Sequence, residues 1–357
     1  MRRFDWSHAD PAPKVRHLDL PEVVYVISDL HLGDGSHSDT FLAKDRLLLA
    51  FLEKVREEGA TLIVAGDVID FAQTRDFAKV LTVHGAIFRA FADLVALDRF
   101  YYVYGNHDHD MRLYRDILRF PVVASVEIGK EMRIIHGYQF DPLISGDLPA
   151  SDRRTRRHHV AEHWLRSWIR VPLGHFYTRL NRLVFWFSYQ IYCLMGLFNR
   201  LVARMDKGPF FTRRIFFADY WIRGDKGNPS GMWKGLVRAI EEGEHRILVC
   251  GHSHMPGVVD VGGGRLYANT GSWTFNSTNY LRWEPGESPV VGDWLSGRTY
   301  GDQLYDRVRS GELDHYTFHD WWAEEYQGFL RYRCGEDRRG KLPAWTVPPA
   351  LPDQESS

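Results

Sequence analysis

The sequence predicts an α/β fold. Two observations carry this: short apolar runs alternate with helix-like stretches through the first third of the chain, and the runs are hydrophobic almost without interruption. Strand, helix, strand, helix, strand is the pattern of a parallel sheet, and continuous hydrophobicity fits strands buried on both faces.

The elements follow in chain order. "VVYVIS" from Val23 reads as a first strand, and Phe41 to Arg56 as a helix with apolar residues at three- and four-residue spacing. "TLIVAG" from Thr61, a second helix over Phe77 to Leu97, and "FYYVYG" from Phe100 continue the alternation. "MRIIHG" from Met132 and "RILVCG" from Arg246 supply two further strands, and "GVVDVGGGRLYANTGSW" reads as a hairpin around Gly262 to Gly264.

Each of the five runs ends in a polar cluster: "SDLHL" with Asp29 and His31, "GDVID" with Asp67 and Asp70, "GNHDHD" from Gly105, His136 with Gly137, and "GHSHM" with His252 and His254. Open α/β sheets place ligands at the carboxyl ends of their strands, so one sheet edge is expected to collect all five. The donors are Asp29, His31, Asp67, Asn106, His136, His252 and His254. Oxygens and imidazoles without a thiolate do not make a closed structural zinc site; they suit a pair of borderline divalent ions with open positions. Asp-x-His and His-x-His, read as extended segments, put both side chains on one face within reach of one ion. Asp67, following a glycine, is expected to bridge the two ions.

The motif order DxH, GDxxD, GNHD, HG, GHxH resembles that of the calcineurin-like metallophosphoesterases, in scattered blocks from Asp29 to His254; "NTGSW" at Asn269 to Trp273 is similar to a closing segment of bacterial members. The resemblance implies a four-layer α/β/β/α sandwich with a helical cap insertion, the core formed by 1–150 and 227–357 and the cap by 151–226. It implies that Asp29, His31, Asp67 and His254 hold one metal and Asp67, Asn106, His136 and His252 the other, with Mn the first expected ion and Fe or Zn the alternatives. Such a pair acidifies a water and neutralises phosphoryl oxygens. By the same resemblance His107 is the catalytic histidine, Asp108 orients it, and Asp70 holds a ligand imidazole from behind.

Between Ser151 and Lys226 the chain carries 15 Lys and Arg against 5 Asp and Glu, with 16 aromatic residues, whereas the whole protein has a formal charge of -1. The uncharged run Leu183 to Phe198 falls short of the roughly 20 residues that cross a bilayer. Arg179, Arg182, Arg200 and Arg204 around it, with Trp164, Trp168, Trp186 and Tyr189, fit contact with a membrane surface; a lid packed on the core is the alternative. The insertion and "HGYQFD" (His136 to Asp141) resemble the branch that includes UDP-2,3-diacylglucosamine hydrolases, although several members of that branch have Arg at the position of His107. The expected substrate is therefore a lipid-linked phosphate or pyrophosphate. A phosphodiesterase or nuclease of the same fold is the alternative, with nucleic acid the less expected partner. Three separated cysteines, Cys193, Cys250 and Cys334, and a charged start without an apolar core favour a cytoplasmic protein, peripheral on the inner face of the membrane.

Overall fold

The computed structural model describes residues 15–35, 41, 44–71, 74, 76–141, 229–274 and 277–310. The expected cap, 151–226, and the chain after residue 310 lie outside them.

The first sheet comprises β2 (Val24–Ile27), β3 (Thr61–Ala65), β4 (Phe100–Val103), β5 (Val122–Val123), β11 (Asn279–Trp283), β12 (Val290–Asp293) and β13 (Thr299–Tyr300), in the order β13-β12-β11-β2-β3-β4-β5. The second comprises β1 (Arg16–Leu18), β6 (Val126–Ile128), β7 (Met132–Ile134), β8 (Ile247–Cys250), β9 (Gly257–Gly262) and β10 (Arg265–Asn269), in the order β1-β6-β7-β8-β10-β9. Strands β2 to β5 pair in parallel, and β7, β8 and β10 do likewise in the other sheet. Contrary to the expectation from the chain, the five polar clusters do not share one sheet edge; three end strands of the first sheet and two end strands of the second. A strand's own sequence does not say which sheet it joins.

Period-two alternation builds the layers. Val24, Val26, Ile63, Ala65, Tyr101 and Val103 face Ile134, Val249 and Ala268 of the second sheet, forming the central core. Tyr25, Ile27, Leu62, Val64, Phe100 and Tyr102 pack on the opposite side among Leu48, Phe51 and Leu52 of α1 (Asp45–Glu57) and Ile87, Phe91 and Leu94 of α2 (Phe77–Ala96). On the far face of the second sheet, Leu248, Cys250 and Tyr267 meet Met232, Leu236 and Ile240 of α4 (Pro229–Glu242) and Tyr305 and Val308 of α5 (Gln303–Arg309). A short helix, α3 (Met111–Leu118), follows β4. The layers are α/β/β/α. Fully burying one such Val, Leu, Ile or Phe side chain contributes about 1.5–3 kcal/mol, which makes the sheet positions rigid supports for what lies at their ends.

Helix α1 begins at Asp45, four residues later than the apolar spacing suggests. Lys44 stands at its start with its ammonium donating to the carbonyls of Trp273 and Ser277, the latter at 2.7 Å. That tie fastens α1 to the "NTGSW" segment.

Candidate metal centre

In-register pairing brings the strand ends together. Ile27 lies opposite Val64 and Ala65 opposite Val103, so Asp29, Asp67 and Asn106 leave the first sheet side by side. Ile134 lies opposite Val249 in the second sheet, which places His136 beside the "GHSH" turn. The peptide N–H of Asp29 donates to Gly66 O and that of His31 to Asp67 O, both at 2.9 Å, so the first two turns travel as a unit.

Those turns are not extended. Asp29, His31, Asp67, His252 and His254 have φ of 52°, 48°, 53°, 65° and 53°, and only two other non-glycine residues among those described, Asp98 and Arg119, have positive φ. Each such conformation costs on the order of 1 kcal/mol, and its concentration at one locus marks a site the surrounding fold holds under strain. It also corrects the extended reading of the two motifs: left-handed residues turn the side chains inward. His252 and His254 accordingly part company. The His252 ring lies 5.2 Å from that of His136, and the His254 ring 5.4 Å from that of His31.

Three donor clusters form among the described residues, two of them from the expected ligands. Asp29, His31 and His254 bring one ligand atom each within 4.8 Å of one another, and so do Asp67, His136 and His252; the third, His31, Asp70 and His107, shares His31 with the first. Asn106 joins the second, its Oδ1 3.2 Å from His136 Nε2. Asp67 touches both groups: its Oδ2 is 3.0 Å from His136 Nε2 and 3.9 Å from His31 Nε2. All seven residues expected from the sequence meet here.

Charge is concentrated and dry. Asp29, Asp67 and His136 are buried, as are His31 and His252. Burial alone would raise the pKa of Asp29 and Asp67, but neighbouring imidazoles, His254 and His136 for Asp29 and His136 and His107 for Asp67, hold both well down. Conversely, burial works to lower His136, yet Asp67 and Asp29 push it up to about 9. His31 and His107 are raised against burial in the same way, His31 chiefly by Asp29 and Asp70, His107 by Asp67 and Asp70. The carboxylates thus demand positive charge among the rings, which protons or metal ions can supply.

The fit to metal rests on one atom in particular. His31 Nδ1 faces Asp70 Oδ2 at 3.4 Å, while His31 Nε2 is buried without a hydrogen-bond partner, 3.9 Å from both Asp29 Oδ1 and Asp67 Oδ2. A buried imidazole nitrogen facing two carboxylates without a bond is costly unless a cation completes it. The mixed oxygen and imidazole donors fit two divalent ions.

One assignment around His107 differs from expectation. Asp108 does not orient it: the Asp108 carboxylate accepts from Gly105 N at 2.6 Å, Val68 N at 2.7 Å and Tyr102 Oη at 2.6 Å, fastening the turn. Burial and the Asp67 charge raise its pKa to about 6. Chain adjacency suggested a contact that the tight turn directs elsewhere. Asp70 is what meets His107, Oδ1 to Nδ1 at 3.1 Å, while its other oxygen faces His31. Asp141, to which the sequence reading gave no role, accepts from His252 Nε2 at 3.2 Å; a single acid after an aromatic turn carries no signal beyond its place in "HGYQFD".

The calcineurin-like phosphoesterase family model matches residues 23–267. A search of curated proteins finds no match. Among solved structures, a dimetal phosphatase from Danio rerio is similar at 12% identity and a TM-score of 0.39, over 78% of this chain and 98% of that one.

Proposed function

We propose, for a chain that belongs to the calcineurin-like phosphoesterase family and is thereby a metal-dependent phosphoester hydrolase, that the substrate is a lipid-linked phosphate or pyrophosphate reached at a membrane surface. The observation that carries the chemistry is the meeting of two largely buried donor clusters at Asp67. Asp29, His31, Asp67 and His254 would hold one ion and Asp67, Asn106, His136 and His252 the other, with Mn the first candidate and Fe or Zn behind it. When bound, such a pair acidifies water and offsets the charge on phosphoryl oxygens.

The protein's own groups do the rest. His107 is the most open imidazole of the site: 21% of its side chain is exposed, against 0% for His136, 7% for His252, 8% for His31 and 11% for His254. Substrate therefore approaches from its side. With Nδ1 held by Asp70, His107 presents Nε2, and Asp67 and Asp70 keep it protonated as pH rises, as a donor to a leaving oxygen must be. Asp70 holds His31 and His107 with its two oxygens, so the ring pair, 4.8 Å between centroids, keeps a fixed spacing.

The lipid part of the proposal is supported by the basic, aromatic stretch 151–226 and by the UDP-2,3-diacylglucosamine hydrolase-like motifs. No helix among the described residues is long and apolar enough to cross a membrane; contact on the cytoplasmic face is part of the proposal. A screen with Mn present should release UMP or inorganic phosphate from lipid-linked substrates, and Asn106→Ala should abolish that release. Turnover untouched by Asn106→Ala removes this residue from the metal site. The same arginine-rich stretch favours a second reading, a nuclease or phosphodiesterase; steeply salt-dependent binding and cleavage of single-stranded DNA would favour it over the lipid substrate.

A further inference from the structure

We propose that Asp141 is a positioning residue that selects which nitrogen of His252 faces the metal centre. The inference rests on the two-ion reading above and adds a part to it.

The imidazoles of the site are anchored in two opposite ways. His136 donates from Nδ1 to the carbonyl of Ala65 at 2.8 Å, and His31 and His107 present Nδ1 to Asp70. In His31 and His136 this turns Nε2 toward Asp67, at 3.9 and 3.0 Å from its Oδ2. His252 is reversed: its Nε2 donates to Asp141 Oδ2 at 3.2 Å, which leaves Nδ1 as the lone-pair atom of a ring that has one nitrogen within 4.8 Å of the ligand atoms of Asp67 and His136. A neutral imidazole has one donor and one acceptor nitrogen, and the partner of the first decides the identity of the second.

Position makes this selection firm. Asp141 and His252 are both buried, so water does not compete for Nε2. The backbone of His252 is pinned independently, its N–H donating to Asp29 Oδ2 at 3.0 Å. Asp141 sits at the end of the turn Tyr138–Phe140, which begins next to His136. One short segment therefore carries a candidate ligand at one end and, at the other, the carboxylate that orients a second ligand of the same cluster. Without Asp141, the ring could place its proton on Nδ1 and withdraw the lone pair from the cluster.

The test is calorimetric titration of metal-stripped full-length protein with Mn2+. Wild type should bind two ions; Asp141→Ala should weaken one of the two about 10- to 100-fold and leave the other nearly unchanged, while Asp141→Asn, which keeps a carbonyl acceptor, should restore most of the loss. Two wild-type affinities in Asp141→Ala overturn the inference. A wild type that binds fewer than two ions fails the two-ion reading itself, a distinguishable result. Long-range nitrogen NMR on wild type gives a second readout independent of how Asp141→Ala folds: a proton on His252 Nε2 is expected, and a proton on Nδ1 instead overturns the assignment.

Discussion

At the scale of single residues, the site is a balance of charges that the fold imposes before any metal arrives. His136 is held protonated by Asp67 and Asp29, with its pKa at about 9. A group whose pKa is higher folded than unfolded stabilises the protein below its unfolded value, near 6.5, and loses that contribution as pH rises through the folded value. Metal-stripped protein should therefore lose on the order of 3 kcal/mol between about pH 6.5 and 9 from this residue. Mn-loaded protein should show no such loss in that window, because the ions replace the proton; urea melts of the two forms check it. His107→Gln should lower kcat about 10²- to 10⁴-fold while metal content stays at the wild-type level. A variant that lost metal instead would make His107 a ligand rather than a proton donor. These residues were legible in the sequence because Asp, His and Asn seldom crowd the end of an apolar run without reason. Their backbone was not: left-handed conformations at Asp29, His31, Asp67, His252 and His254 run against the ordinary preference of such residues, and only tertiary packing enforces them.

At the scale of elements, the strand ends fit one another like interlocking steps. A Cβ on Gly105 would lie 2.1 Å from Asp67 Oδ1 and 2.7 Å from Asp67 N, and one on Gly251 would lie 2.3 Å from Asp29 Oδ2. Each glycine clears space for a candidate ligand borne by another strand, which is more than the turn role its sequence position suggests. Gly105→Ala should push Asp67 aside, destabilise the fold by about 1–3 kcal/mol through overpacking and cut metal affinity and turnover together. Unchanged thermal stability and activity would show that the turn relaxes at no cost. The same scale explains the two misreadings around "GNHD" and "DLHL". Extended geometry and chain adjacency were the natural assumptions, but tight turns at the sheet edge redirect Asp108 to Val68, Gly105 and Tyr102 and bring Asp70 to His107.

At the scale of the whole molecule, the parallel strands could be anticipated from period and spacing, because burial on both faces writes itself into continuous apolar runs, whereas the four layers followed only from the resemblance of the motifs. The division of the five strands between two sheets could not, since sheet membership depends on contacts between distant segments. Face-to-face packing of those sheets is what aligns two carboxyl edges into one site and lets Asp67 of the first sheet meet His136 of the second at 3.0 Å. Everything proposed about phosphoester cleavage depends on that meeting point gathering two cations. The most direct measurement is the metal content of purified, Mn-equilibrated protein by mass spectrometry, in wild type and in Asp67→Asn, alongside hydrolysis of a generic phosphodiester. The account predicts two ions per chain in wild type, with loss of at least one ion and of turnover in Asp67→Asn. Wild type carrying no bound metal, or Asp67→Asn retaining both ions and full turnover, would contradict it.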